Sequence, residues 1–297
     1  MLRSMYSGIS GLKNFQTKLD VIGNNIANVN TYGFKKGRTI FKDLISQTVA
    51  GASGGNNSRG GVNPKQVGLG SQIAAIDTIH SGGSTQFTGN TLDLAIAGDG
   101  FFQVGEMNGT TLGNVQYTRA GNFYMDKSGY LVDANGKYLV GVGGKDTYTA
   151  VTADETVNPP ATSGTPPTPT GQNTRILIPT TAQSMSIAQD GAVTFVDDAG
   201  FLRYAGHLVL AKFPNPSGMD KVGGNYFQQS PNSGTPLRSI PTQNGIGDLE
   251  SGFLEMSNVD LSEEFTEMIV AQRGFQANTR IITTSDEILQ ELVNLKR

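Results

Sequence analysis

Few side chains in this sequence have the types and spacing that catalysis or metal binding requires. Histidine occurs only at His80 and His207, and neither has a second histidine at the spacing of a metal-ligand pair. The acidic, glycine-rich stretch from Asp126 to Gly136 lacks the Asp-x-Asp-x-Asp-Gly order of a calcium loop. We interpret the histidines as isolated polar residues on β elements and the acidic stretch as two successive hairpin turns.

Two further stretches resemble reactive sites only in part. The sequence GVGGKD at 141–146 has Leu139 where a phosphate loop needs its first glycine, and Asp146 where it needs a serine or threonine. Glu263 and Glu264 are adjacent, so on a helix they diverge by about 100° and cannot share a proton. No serine stands in a nucleophile elbow. We therefore expect a protein that is not an enzyme and that holds no cofactor and no metal.

Composition excludes several other classes of function. The net charge is −3 and there is no basic cluster, so the chain lacks the positive surface that nucleic-acid phosphates require. No run of about 18 apolar residues occurs, which predicts no membrane insertion. Cysteine is absent, which excludes disulfides and thiolate chemistry. The 39 glycines, about twice the ordinary share, fall mostly in turn-like pairs and favour a strand-rich body.

The two ends of the chain have the pattern of long amphipathic helices. The first apolar stripe steps by three and four residues through Leu2, Met5, Ile9, Leu12, Phe15, Leu19, Ile22 and Ile26. The second, which we call the heptad seam, repeats every seven residues through Leu261, Met268, Phe275, Ile282 and Leu289, with Phe265 and Leu292 beside it. An apolar stripe usually faces the protein's own core, but stripes at both chain ends indicate a subunit that polymerises through them.

Local signals predict where both helices begin and end. The first should end near Asn28, before turn formers that lead to Gly33, and its internal glycines at positions 8, 11 and 23 each cost about 1 kcal/mol of helix propensity. The second should begin after the cap residue Asp260, with Glu263 completing a capping-box-like pair, and should run for about 35 residues. Its polar face is acidic, which makes binding to an anionic membrane the weaker interpretation.

The sequence predicts an α+β fold in which the terminal helices lie outside a glycine-rich β domain. We expect a helical polymerisation domain over residues 1–33 and 257–297, and a linker or extended arm over 34–70, with linker-like composition at 51–61. The β domain is expected over 71–144 and 175–247, with a Thr/Pro/Gly-rich loop at 145–174 and a connector at 248–256.

The same segments carry a family resemblance. The N-terminal run SGISGLKNFQTKLDVIGNNIANVNTYGFKK and the C-terminal run that begins SGFLEMSNVDL resemble the paired signatures of the bacterial flagellar rod and hook family. Between them, LDLAIAGDGFFQV and YTRAGNFYMDKSGYLVDANGKYLVG resemble the β domain that these proteins share. The resemblance covers most of the chain apart from 51–61 and 145–173, and it is strongest to the short hook proteins of Gram-positive bacteria.

The resemblance implies a structural subunit of the flagellar hook, the flexible hollow tube that transmits torque from the rod to the filament. It implies a helical homopolymer that contacts rod, hook-cap and hook–filament junction proteins. It also implies an extracellular position, reached through the flagellar type III export apparatus without a cleaved signal peptide. In such a tube, six polar residues would line the channel or bond to neighbouring subunits: Gln16, Asn24, Asn25, Gln272, Asn278 and Thr279.

Two alternatives to the hook remain at this level. The first is a distal rod subunit of the same family, since distal rod proteins also lack the outer domain of larger hook proteins and also have an extended stretch before the β domain. The second, from another class, is a secreted β-domain binding protein whose helices only dimerise it. A concave site with convergent polar groups would distinguish the binding protein.

Overall fold

The computed structural model of the chain describes residues 2–55, 60–108, 111–142 and 174–295. Its contacts divide it into two compact units. The first, which we call the helix–ribbon unit, comprises Met1–Val29, Lys36–Ile79 and Val259–Arg297; the second, the β body, comprises Asn30–Lys35 and His80–Asn258. Two terminal helices and many strands confirm the predicted α+β class. The loop predicted at 145–174 lies outside the described residues, apart from Thr174.

Both helices have the limits that their local signals predict. Helix α1 spans Leu2–Ala27 and helix α2 spans Leu261–Asn294. The Asp260 carboxylate accepts hydrogen bonds from the N–H groups of Ser262 at 2.8 Å and Glu263 at 3.4 Å, which confirms it as the cap of α2. Glu263 was predicted to complete a capping box with Asp260. Its carboxylate pairs instead with Lys36 Nζ at 2.7 Å.

A long β-ribbon follows α1 in the chain. Its strands are β1 (Gly37–Asp43), β2 (Ser46–Ala50), β3 (Lys65–Gly68) and β4 (Ser71–Thr78). Strand β1 pairs with β4 and β2 with β3, both antiparallel, and an isolated bridge joins Ser53 to Val62 nearer the tip. The ribbon forms because two stretches rich in β-branched residues flank a glycine-rich reversal.

The ribbon combines residues that were predicted to belong to two different parts of the chain. Residues 34–70 were expected as a linker or arm and residue 71 as the start of the β domain, yet β4 pairs with β1 inside the helix–ribbon unit. Residues 248–256, expected as a connector, contain two strands of the β body. The division into separately folding domains remains a prediction, because contacts within one chain do not show which part folds alone.

The β body is built from short antiparallel strands. In chain order they are β5 (Thr85–Phe87), β6 (Leu94–Ala97), β7 (Phe101–Asn108), β8 (Thr111–Thr118), β9 (Tyr124–Met125), β10 (Leu131–Val132), β11 (Tyr138–Val142), β12 (Thr174–Arg175), β13 (Ser184–Ile187), β14 (Ala192–Val196), β15 (Leu202–Leu208), β16 (Leu210–Lys212), β17 (Asp220–Gly223), β18 (Tyr226–Gln228), β19 (Leu237–Ser239), β20 (Asp248–Ser251) and β21 (Phe253–Glu255). A 3₁₀ turn spans Pro216–Gly218. The main sheet has the order β13-β14-β15-β11-β7-β8-β18-β17.

The β body has its own hydrophobic core. The larger cluster includes Phe102, Phe123, Leu139 and Phe195, and a smaller one is centred on Phe101 and Phe213. No residue of either cluster belongs to a terminal helix. The body therefore has apolar burial that does not depend on α1 or α2.

The acidic stretch from Asp126 to Gly136 consists of the two predicted hairpin turns. Gly129 N–H donates to the Asp126 carbonyl at 2.8 Å, and Gly136 N–H donates to the Asp133 carbonyl at 3.0 Å. Both glycines have positive φ, 86° and 78°, which residues with a β-carbon rarely adopt.

Candidate assembly surface

The two terminal helices lie against each other in antiparallel orientation. A β-carbon added to Gly8 would lie 3.5 Å from Ile282, and one added to Gly11 would lie 3.0 Å from the Asn278 side chain. Further along, a β-carbon on Gly274 would lie 2.5 Å from the Phe15 ring. The glycines that weaken these helices in isolation therefore allow close approach of the partner helix.

The buried side of α2 includes further regularly spaced positions besides the residues of the heptad seam. Apart from Gly274, the residues that are at least partly buried recur at steps of four and three: Glu264, Met268, Ala271, Phe275, Asn278, Ile282, Ser285 and Leu289. We call this set the contact stripe. Four of the five heptad-seam residues belong to it, whereas Leu261 is exposed. The alternate positions were missed because they are small or polar, and only the spacing from known seam positions could have revealed them.

Asn25 joins three elements of the helix–ribbon unit. Its amide donates to the Gly37 carbonyl at 2.9 Å and to the Glu264 carboxylate at 3.1 Å, while its oxygen accepts the Gly37 N–H at 3.0 Å. Asn25 is 1% exposed and makes these bonds within the single chain, and its place at a channel or at a contact with a neighbouring subunit stays a prediction. Its polar groups are satisfied internally because burial would otherwise leave them without hydrogen bonds.

Of the other polar residues expected at a channel, Asn278 is also engaged within the chain. Its amide donates to the Gly274 carbonyl at 2.9 Å, beside Gly11. The Thr279 hydroxyl donates to the Phe275 carbonyl at 3.0 Å and remains exposed. Gln16, Asn24 and Gln272 are exposed.

A pair of glycine substitutions tests the contact between the helices. Gly23→Ala should raise the stability of the helix–ribbon unit by up to about 1 kcal/mol, because nothing lies within 4 Å of the added β-carbon. Gly274→Ala makes the same chemical change in the other helix, but it should lower stability by about 1–3 kcal/mol because the Phe15 ring must move. Urea unfolding followed by far-ultraviolet circular dichroism measures both. Equal stabilisation by both variants would show that α1 and α2 do not lie together in solution.

The residues predicted for polymerisation fall into three groups. Met5, Leu12, Phe15, Leu19, Ile22 and Ile26 on α1, and Met268, Phe275, Ile282 and Leu289 on α2, are buried or partly buried within the chain. Ile9, Leu261, Phe265 and Leu292 are exposed. The side chain of Leu2 lies outside the described part of the structure.

Many apolar side chains of the helix–ribbon unit remain exposed. On the helices they are Tyr6, Ile9, Leu261, Phe265, Ile269, Val270, Ile281, Ile288, Leu292, Val293 and Leu295; on the ribbon they are Ile40, Phe41, Ile45, Val49, Val62, Val67, Leu69 and Ile76. We call this set the assembly surface. Monomeric proteins rarely expose so many apolar residues on adjoining elements, so the set indicates a surface that other protein covers. The ribbon's part of it was not predicted from the sequence.

The residues examined for chemistry do not come together in one site. His207 Nδ1 contacts the Tyr204 hydroxyl, and its Nε2 lies 3.8 Å from the Asp190 carboxylate. Burial lowers the pKa of His207, although Asp190 opposes that effect. His80 instead packs edge-on against the Phe101 and Phe227 rings. Among the described residues, no group of three His, Asp or Glu side chains is placed to hold a metal ion.

Two clefts in the β body are lined mainly by uncharged polar residues. One, of about 260 Å³, lies beside Asn122, Asn135 and Asn225, and the other lies beside Asn114, Gln228 and Gln229. The Asp133 carboxylate in the first cleft already accepts hydrogen bonds from Asn135 N–H and from the Tyr226 hydroxyl. Tyr226 lines the same cleft, and burial together with its hydrogen bond to Asp133 raises the pKa of Tyr226 to about 12. Within the described residues, no helix is both long and apolar enough to cross a membrane.

Helices from both chain ends, a ribbon with exposed apolar side chains and a β body with its own core are the features of a structural subunit. Three family models match along the chain. They are "Flagella basal body rod protein" over residues 5–35, "Flagellar hook protein FlgE/F/G D1 domain" over 95–195 and "Flagellar basal body rod FlgEFG protein C-terminal" over 250–295. The first match covers most of α1 and the residues that follow it, the second falls in the β body, and the third covers the end of β20, all of β21 and α2.

Curated relatives match over the whole chain. The flagellar basal-body rod protein FlgG of Bacillus subtilis is 55% identical over 298 residues, with 100% of both chains covered. The flagellar hook protein FlgE of Borreliella burgdorferi is 33% identical over an alignment of 450 residues, again with 100% of both chains covered. FlgG of Agrobacterium fabrum is 34% identical with 97% of each chain covered. The chain therefore belongs to the flagellar rod and hook protein family, as its terminal signatures predict.

Proposed function

We propose that this chain is a subunit of the distal flagellar rod that polymerises with copies of itself into a tube. The observation that carries the proposal is the 55% identity to a rod protein along the full length of both chains. The ribbon between α1 and the β body supports it, since an extended stretch at this place is what the family resemblance associates with the distal rod. The alternative named from the sequence thus replaces the hook as the leading interpretation.

Assembly is proposed to use the terminal helices and the ribbon together. The contact stripe holds α2 on α1, and the assembly surface then binds adjacent copies. Apolar burial is the dominant favourable term in such association, so the exposed side chains on α2 and the ribbon supply its driving force. The proposal includes contacts with other rod and hook proteins and passage through the flagellar export apparatus to a position beyond the cytoplasmic membrane.

The hook subunit is the second candidate. It is favoured by the 33% identity to a hook protein and by the resemblance of the C-terminal run to hook proteins. The hook relative needs an alignment of 450 residues, whereas this chain has 297, so the two differ by a large insertion. Rod and hook both require a polymerising subunit, and the helix–ribbon unit suits both.

Deleting the gene in the source bacterium and imaging isolated basal bodies distinguishes the two candidates. Loss of a distal rod subunit should leave basal bodies whose rods are truncated, whereas loss of a hook subunit should leave complete rods without hooks. In the complemented strain, an epitope inserted at the exposed turn residues Ala199 and Gly200 should place immunogold on the rod. Labelled hooks with unlabelled rods would favour the second candidate. Normal flagella in the deletion strain would contradict both.

A further inference from the structure

A cluster of charged side chains lies inside the β body. Lys35, Arg119 and Glu255 are each at most 3% exposed. Lys35 Nζ donates to the Glu255 carboxylate at 2.6 Å and to the Ser81 carbonyl at 2.7 Å. Arg119 donates to the other Glu255 oxygen at 3.2 Å and to the Gly98 carbonyl at 2.7 Å. One carboxylate therefore holds two buried cations, which is tolerable only because each group also finds further hydrogen bonds.

Backbone groups around Glu255 extend this cluster. Gly33 N–H donates to the Glu255 carbonyl at 2.8 Å, and Gly83 N–H donates to its carboxylate at 3.0 Å. Asn258 N–H donates to the Phe34 carbonyl at 3.4 Å, and the Asn258 amide donates to the Ser81 hydroxyl at 3.1 Å. Three separate segments of the chain, around residues 33–35, 81–83 and 255–258, are thus bonded to one another.

The backbone also approaches closely at two glycines beside the cluster. A β-carbon on Gly83 would lie 2.0 Å from the Met256 carbonyl oxygen. A β-carbon on Gly33 would lie 2.5 Å from the Ala120 nitrogen, and Gly33 has a φ of 68°. Only glycine fits either position, so the backbone can approach this closely only with glycine at both.

The cluster lies close in sequence to every point at which the chain passes between the two units. The chain passes between the two units at four points: 29–30, 35–36, 79–80 and 258–259. Gly33 and Lys35 lie within a few residues of the first two, Ser81 follows the third, and Asn258 is the last residue before the fourth. Every covalent connection between the units therefore leaves the β body within a few residues of the Glu255 cluster.

We propose that the Glu255 cluster is an anchor that fixes all four connections to the β body, so that force reaching the chain through the helix–ribbon unit passes into the β body. The force role rests on the proposed function, because a subunit experiences such force only in a rotating assembly. A buried ion cluster often stabilises less than apolar residues of the same volume. The bonds of this cluster are directional and end on the three connecting segments. An apolar cluster makes no directional bonds and could not hold these segments in the same orientation.

Hydrogen exchange of the purified chain tests the anchor. Lys35→Met removes one of the two cations and leaves a neutral Arg119–Glu255 pair, so no uncompensated charge remains buried in the cluster. Exchange at residues 30–35, 81–84 and 254–258 should accelerate by about tenfold or more, while residues 192–196 in the main sheet stay unchanged. The matched control is Lys212→Met, which removes a surface lysine 3.0 Å from the Asp99 carboxylate and should leave the three segments unchanged. Unchanged exchange in Lys35→Met would overturn the anchor.

A milder variant guards against a failure of Lys35→Met to fold. Asn258→Ala removes the side-chain bonds to Ser81 and leaves the three ionic groups in place. It should accelerate exchange at residues 81 and 258 by a smaller factor than Lys35→Met does in the same segments. Equal exchange in Asn258→Ala and the unsubstituted chain would also count against the anchor.

The proposed role of the cluster in transmitting force is tested in cells. Cells that express Lys35→Met should assemble flagella in normal numbers but lose at least half of them under shear that leaves the Lys212→Met strain intact. Faster exchange with undiminished shear resistance would overturn the force role and retain the anchor. If cells without the chain keep normal flagella, the force role falls with the proposed function, and the exchange result still decides the anchor.

Discussion

Cells that express Phe275→Asp in place of the unsubstituted chain should build no hook or filament, although the β body still folds. Phe275 is partly buried on the contact stripe of α2, beside the contact of Gly274 with Phe15. A carboxylate at this position must lose water or its charge, at a cost on the order of several kcal/mol, so α2 should separate from α1. The β body should survive because neither of its core clusters includes a residue of α2.

The neighbouring residue provides the matched control for this substitution. Gln276 is exposed, so Gln276→Asp adds the same charge to the same turn of α2 without burying it. Electron microscopy of isolated flagellar structures should show normal rods and hooks for Gln276→Asp and none beyond the substituted subunit for Phe275→Asp. Far-ultraviolet circular dichroism of the purified Phe275→Asp chain should retain its strand signal. Normal structures from Phe275→Asp would show that the heptad seam has no part in assembly.

The stability of the β body should fall between pH 6.5 and about 4 because of His80. Burial lowers the pKa of His80 from 6.5 to about 4, and the charges of Lys35, Arg119 and Lys221 add to the effect, while the Pro216 carbonyl opposes it. The unfolded chain binds the proton near pH 6.5, whereas the folded chain binds it only near pH 4. In this window the unfolded state therefore holds more protons, and stability decreases as the pH falls. Above pH 6.5 both states are neutral and the effect vanishes.

The expected loss from this one histidine is up to about 3 kcal/mol, and less to the extent that water reaches the ring. Urea unfolding at pH 7.5 and pH 4.5 measures the change for the unsubstituted chain and for His80→Gln, which does not titrate. Carboxylates contribute equally in both proteins, so the difference between the two pH dependences isolates His80. Parallel pH dependences would contradict a buried, neutral His80.

The terminal helices show how much local signals can specify. The cap at Asp260 and the turn formers after Ala27 predicted limits that agree with α1 and α2 to within a residue or two. The two turns at Asp126 and Asp133 were also predicted correctly from the sequence, because aspartate and glycine at fixed offsets determine a turn without distant partners. The family signatures lie in these same local segments, which is why the family could be identified from the sequence.

Several strands were missed because their pairing partners are distant. Strand β20 pairs with β6, with Asp248 opposite Ala97, and β21 pairs with β5, with Phe253 opposite Phe87. Strands β20 and β21, which fall in the predicted connector, have only three or four residues each, too few for an alternating pattern to be recognised. Residues 34–70 were predicted as a linker or extended arm and not as paired strands, because the strand side chains of this part of the ribbon are mostly exposed and lack the alternation of a half-buried strand.

The sequence by itself determined the helices at both ends, the strand-rich body between them and the family, since each depends on residues close together in the chain. The tertiary structure decided which apolar residues are covered and which charges are buried. The contact stripe is defined by the packing of α2 against α1, which is close at Gly8, Gly11 and Gly274. Lys35 and Glu255 are 220 residues apart in sequence, and Arg119 and Glu255 are 136 apart. No local pattern can predict such a cluster, because its energy depends on burial that only the folded sheet provides.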